Sequence, residues 1–107
     1  MVVTTANEVE GYRVASQLGL VRGIVVRSPN LAQGLLGGLK QIVGGNNETY
    51  AQVCERAREH AYERMEQHAT EMGADAIIAV RYDATEFMQG ATEVLCYGTA
   101  VKLTRSA

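Results

Sequence analysis

Sulfur ligands, basic patches and long apolar runs are all scarce in this chain, and each scarcity excludes a class of protein. Cysteine occurs twice, as Cys54 and Cys96, far apart and in no close-spaced pair. That removes a disulfide framework and a zinc-finger pattern, and reduced thiols are the expectation. The chain carries 10 Lys and Arg against 12 Asp and Glu, a net charge of −2. The basic residues are scattered, so no electrostatic footprint for nucleic acid forms. No apolar run approaches the roughly 20 residues of a membrane-spanning helix. No charged segment precedes an apolar one at the N-terminus, so a signal peptide is not expected and a cytoplasmic protein is. Internal repeats and linkers are absent. No catalytic constellation can be picked out.

What is present fits one domain over residues 1–107. Apolar residues make up 47% and charged residues 21% of the sequence, an ordinary globular balance. Residues 1–5 (MVVTT) are short and β-prone, suited to pairing with a neighbouring chain. Residues 18–27 (LGLVRGIVVR) read as a strand. Leu18, Leu20, Ile24 and Val26 share one face, interrupted by Arg22, and Gly19, Val21, Gly23 and Val25 share the other. Ser28-Pro29-Asn30 stops it. A first helix follows, with Leu31, Leu35, Leu39 and Ile42 at helical spacing. Gly34, Gly37 and Gly38 inside it leave two readings: an irregular segment, or close approach of another backbone.

Gly44-Gly45-Asn46-Asn47 breaks that helix and opens a second, of about seven turns, with either asparagine as cap and Glu48 near the positive end. Tyr50, Cys54, Ala57, Ala61, Met65, His68 and Met72 form one stripe of this helix. Glu55, Glu59, Glu63, Glu66 and Thr70 form the wet face. Gly73 stops it. Residues 76–82 then read as a strand buried on both faces, because Ile77 and Ile78 point opposite ways. Gln89-Gly90 is a turn. The last strand covers residues 92–104, with Leu95, Tyr97, Val101 and Leu103 on one face and Val94, Cys96, Gly98 and Ala100 on the other. The order is β-α-α-β-β, an α+β fold with a small three-stranded antiparallel sheet, one long helix and an extra N-terminal strand. Strands that are apolar on both faces leave one face uncovered in a monomer, so a homo-oligomer is expected. The alternative is that loops or the glycine-rich helix cover that face within one chain.

Taken together, Ile42-Val43-Gly44-Gly45 followed by Tyr50, the helix with Arg56, Ala57 and Ala61, the junction Met72-Gly73-Ala74-Asp75-Ala76-Ile77 and the closing Tyr97-Gly98-Thr99-Ala100-Val101 span essentially the whole chain. In these features the sequence resembles the YbjQ-like family of small bacterial proteins, which carries a heavy-metal-binding label. The resemblance implies a dodecin-like subunit in a ring-shaped homopentamer, with short additional strands aiding assembly. It supplies no catalytic residues.

Candidate chemistry is sparse. Metal binding would draw on Cys54, His60, His68 and Cys96, but no CxxC, HxxxH or HExxH pattern links them. The simpler reading puts both cysteines in the core, His60 on the flank of the stripe, and His68 against a carbonyl or a subunit interface. A ring could still gather copies of one residue from several subunits. Anion binding would use the helix starts: Arg27 at one, and Gly44, Gly45, Asn46, Asn47 and Tyr50 at the other, against a plain structural reading of capping and core. Asp75, Asp83, Glu86 and Glu93 near strand ends offer a weak acid-base signal, with solvated strand ends as the ordinary alternative. The expectation is a non-enzymatic, pentameric binding protein without nucleic-acid or membrane partners. Its alternatives are a metal protein with a shared site and an enzyme.

Overall fold

A computed structural model describes residues 1–27 and 47–106. The expected first helix, with its glycines, and Gly44, Gly45 and Asn46 lie outside the described residues. The remaining elements follow the expected order: β1 (Val2–Val3), β2 (Tyr12–Arg27), α1 (Asn47–Glu71), β3 (Ala76–Met88) and β4 (Ala91–Arg105). They form an α+β subunit, a four-stranded mixed sheet in the order β1-β3-β4-β2 with one long helix. β2, β3 and β4 are antiparallel, as expected, and joined around Gln89-Gly90 at the β3–β4 turn. β2 begins six residues before the sequence pattern suggests and β3 runs six residues past it. Their extra lengths carry few buried side chains, so periodicity gave no sign of them.

The N-terminal strand is corrected in one respect. It pairs with its own chain, parallel to β3, with Val2 opposite Ala76 and Val3 opposite Ile77. The segment then continues as a strap. The Thr4 amide donates to Ile77 O at 3.0 Å, the Ala79 amide to Ala6 O at 2.8 Å and the Val80 amide to Thr4 O at 3.0 Å. The strap sits over a β-bulge, where Ala79 and Val80 together oppose Gly98. Ala79 takes a left-handed φ of 54°. A Cβ on Gly98 would meet Ile77 Cγ2 at 2.8 Å and Ile78 O at 2.9 Å, so the bulge needs glycine opposite it.

α1 lies on one face of the sheet. The closest approach is at Gly23 of β2, where an added Cβ would lie 2.5 Å from the Met65 amide nitrogen and closer still to the Ala61 carbonyl. Glycine is required because the helix backbone itself fills that space. Val21, Val25, Ala61, Met65, Ala69, Ile77, Val80, Cys96 and Ala100 form the core beneath the helix. The observed stripe therefore runs Ala57, Ala61, Met65, Ala69, at a spacing of four. Met72, expected on the stripe, is exposed, and Ala69 takes the end of it. The helix ends as expected: Gly73 has a φ of 79°, its amide donates to Thr70 O at 3.0 Å, and the Ala74 amide donates to Ala69 O at 3.1 Å. This paired pattern is the Schellman stop.

The opposite face is divided. Near the strap, Ala76, Ile78 and Val101 are buried with Val9, Val14 and Leu103 against them. Farther along, Leu20, Ile24 and Val26 of β2 are exposed, and so is every residue from 81 to 88 of β3.

Candidate functional site

The two histidines and two arginines knit α1 to β2. β2 is an edge strand, so alternate backbone groups along it have no strand partner. α1 supplies partners from its side chains: the Arg22 amide donates to His68 Nδ1 at 3.3 Å, and Arg64 donates to Ile24 O at 2.6 Å. One face of the helix thus closes the middle of the edge. His68 is half-buried as expected, but it accepts from an amide rather than facing a carbonyl. At the end of β2, the Arg27 guanidinium donates to His60 Nδ1 at 2.9 Å. In both contacts the imidazole accepts at Nδ1.

The cysteines part company. Cys96 is fully buried, as expected, with its Sγ 3.6 Å from Met65 Sδ, and burial pushes its thiol pKa up. Cys54, expected in the core, is exposed. The stripe drifts so that Ala57 is the first buried helix position described, and Cys54 is carried to the margin. Among the described residues, no three of His, Cys, Asp and Glu converge as a metal site would need.

A cavity opens where helix and sheet separate. About two turns before Ala61, α1 and the inner face of the sheet enclose a cavity of about 280 Å³. Val53, Ala57, Ala84 and Val94 supply its apolar walls. Arg27, Cys54, Arg58, Tyr82, Asp83 and Thr92 supply the polar part of its lining. Beside it lies a shallower cleft between Glu55, Arg58, Glu59, Tyr62 and Tyr82. Desolvation, then the neighbouring Cys96, pushes the Tyr82 phenol up, so it stays a neutral donor near pH 7. Desolvation, then Glu66, does the same to Tyr62.

Arg27 and Cys54, separate candidates in the sequence, thus meet in one cavity lining. Asn47 and Tyr50 fall in the first turn of α1. Arg58, Tyr82 and Thr92 were not legible as site residues. They come from α1, β3 and β4, and only the packing of the helix on the sheet brings them to one lining.

The strand-end carboxylates do not pair with one another. Asp75 Oδ2 accepts from the Leu103 amide at 2.8 Å, and its Oδ1 lies 3.1 Å from Lys102 Nζ. These two contacts, the amide first, hold its carboxyl below its ordinary pKa. Lys102 also donates to Gly73 O at 3.1 Å, so Asp75 clamps the helix stop to β4. Asp83 and Glu86 are exposed on β3.

An α+β fold with one long helix packed on a four-stranded mixed sheet, its short N-terminal strand at one edge, is the class these features define. The chain belongs to the YbjQ-like family, described as "Putative heavy-metal-binding", which it matches over residues 1–104. It is 60% identical to a UPF0145 protein of Chromobacterium violaceum, over 94% of this chain and 86% of that one. A UPF0145 protein of Legionella pneumophila is 57% identical over 94% of this chain and 96% of its own length. Among solved structures, a DUF74-family protein of unknown function from Pediococcus pentosaceus shares the fold. Its TM-score is 0.64 at 16% identity, covering 97% of this chain and 98% of that one. The family description names no enzymatic activity. No helix among the described residues is long and apolar enough to cross a membrane.

Proposed function

We propose that this chain is the subunit of a closed homo-oligomer, a pentamer, that serves in the cytoplasm as a non-enzymatic binding protein. The observation that carries this reading is the half of the sheet that nothing described covers. Leu20 is 59% exposed on the outer face of β2, and Phe87 and Met88 are 54% and 62% exposed at the end of β3. The subunit measures 58 × 23 × 18 Å with a radius of gyration of 17.1 Å. A compact domain of this length has about 13 Å. A molecule this elongated, with apolar residues exposed along one end, is stabilised by a second copy. The number five rests on the family resemblance. Arg64 and His68 occupy the β2 edge at Ile24 and Arg22, and the β3 edge beyond the strap is a strand edge open to a neighbour among the described residues. Light scattering is expected to give five times the chain mass of 11.6 kDa. A monomer in dilute neutral buffer would overturn the proposal.

A second reading is a metal held between subunits. The family description supports it, and so does the exposure of Cys54, which leaves its thiol accessible to a neighbouring copy. Its test is elemental analysis of the purified oligomer. Stoichiometric zinc, copper or nickel that disappears in Cys54→Ala would replace the first reading. Metal-free protein would retire the second.

A further inference from the structure

We propose that the 280 Å³ cavity between α1 and the inner face of β2, β3 and β4 is a binding site for a small organic monocarboxylate with an apolar body. The inference rests on the binding-protein reading and adds the site and the ligand class to it; it holds for a subunit of any assembly state.

The cavity follows from how the helix sits. At Gly23 the helix backbone touches the strand, and there is no room even for a methyl group. Two turns toward the helix start, the facing side chains are Val53, Ala57, Ala84 and Val94. None is large enough to bridge the widening gap. The resulting volume of about 280 Å³ falls just below the roughly 300–1,000 Å³ of small-molecule sites, which suits a compact metabolite rather than a nucleotide.

The charge of the lining selects the ligand. Two cationic residues, Arg27 and Arg58, belong to the lining with one acidic residue, Asp83, whose Oδ1 accepts from the Ala84 amide at 2.9 Å. Arg58 also reaches Glu55 at 3.7 Å, an exposed contact of the kind that contributes little. Arg27 is different. It is half-buried, and among the described residues its contact is the His60 ring and no carboxylate lies within ion-pair distance. His60 takes one N–H of the guanidinium and fixes its orientation; a guanidinium carries five, arranged to meet a carboxylate with two parallel hydrogen bonds. The Thr92 and Tyr82 hydroxyls and the Cys54 thiol add neutral groups to the same lining. A carboxylate at Arg27 neutralises a partly buried charge, and its apolar body covers the four aliphatic walls.

The test uses the full-length protein in its native assembly, with benzoate as probe and benzamide and inorganic phosphate as controls, read by backbone amide NMR shifts. Benzoate is expected to shift the amides of Cys54, Ala57, Ala84 and Val94 saturably at millimolar concentration. Benzamide, without the charge, is expected to bind at least about tenfold more weakly, and phosphate, without the apolar body, to leave these amides unmoved. Arg27→Met should remove binding. Arg58→Met, at an exposed position where a substitution costs little stability, should weaken it severalfold. Absence of benzoate shifts at these residues overturns the proposal, as does equal binding of benzamide or full binding by a folded Arg27→Met. Light scattering on the same sample separates this outcome from the first proposal: an oligomer that ignores benzoate retires the cavity site alone, and a monomer that binds it retires the oligomer alone.

Discussion

The two halves of β3 lie in the same strand and pair with the same neighbour, yet they live in different environments. Residues 76–80 are buried or nearly so on both sides, between α1 on one face and Val9, Val14 and Leu103 on the other. Residues 81–88 are exposed throughout. The bulge at Ala79 and Val80 marks the boundary. On the helix the same division recurs: Ala61, Met65 and Ala69 are fully buried, whereas Cys54 and Glu55 are exposed. One end of the subunit is thus a complete core, and the other is an arm and an opening. The difference teaches that the close-packed and the open parts of the molecule are separated along the length of one helix. Backbone contact and small side chains make the core, and the same small side chains, where the sheet no longer touches them, leave the cavity.

The sharpest way to break this division is at its tightest point. Gly23→Ala places a methyl into the backbone of Ala61 and Met65. Neither backbone can yield without moving the helix, so a loss of more than about 3 kcal/mol is expected in urea unfolding. A change under about 1 kcal/mol would mean the helix does not rest on the strand there. Next in size is Ala61→Leu, which overpacks a fully buried position and should cost about 1–3 kcal/mol. Glu59→Leu, on the wet face two residues earlier, should alter the melting curve little. Equal effects of the two would mean the helical phase is wrong.

The clamp at the closed end predicts a pH dependence. The folded Asp75 carboxyl titrates below its ordinary value because the Leu103 amide and Lys102 favour the charged form. A group lowered on folding contributes stability that is complete above the unfolded value, about 3.9, and that is lost as pH falls through the folded value. Asp75→Asn should therefore remove part of the acid dependence of unfolding below about pH 4 and change little of its slope near neutrality. An unchanged acid limb would show that the clamp is not formed in solution.

The smallest effect on the subunit itself belongs to the arm. Phe87→Ser removes an exposed ring from residues that pack on nothing described. Its effect on the circular dichroism of the subunit should be negligible, while the mass seen by light scattering should fall if the arm carries the assembly. Loss of secondary structure instead would mean that the arm belongs to the subunit core.

The elements themselves were legible. The helix stop at Gly73, the two-faced apolar run at Ile77 and Ile78, the turn at Gln89-Gly90 and the alternation around Cys96 all follow from local geometry, since period and turn chemistry are properties of neighbours in the chain. The candidate site was legible only in fragments. Arg27 and Cys54 stood out as residue types, but for different chemistries, and Arg58, Tyr82 and Thr92 carried no signal, because membership in a cavity depends on register.

What the amino-acid sequence determines here is the order of elements, the faces of each strand and the stripe of small residues on α1, because those are set by backbone geometry over a few residues. Three things were decided only in three dimensions. The N-terminal strand joins its own β3 because a bulge leaves amides there for it to bind. Gly23 is the contact point rather than Gly19 because the helix crosses β2 at that residue. Cys54 is exposed while Cys96 is sealed because the buried positions of α1 recur every four residues through Ala57, Ala61, Met65 and Ala69, which leaves Cys54 on the margin, and that phase is set by packing on the sheet across long sequence separations.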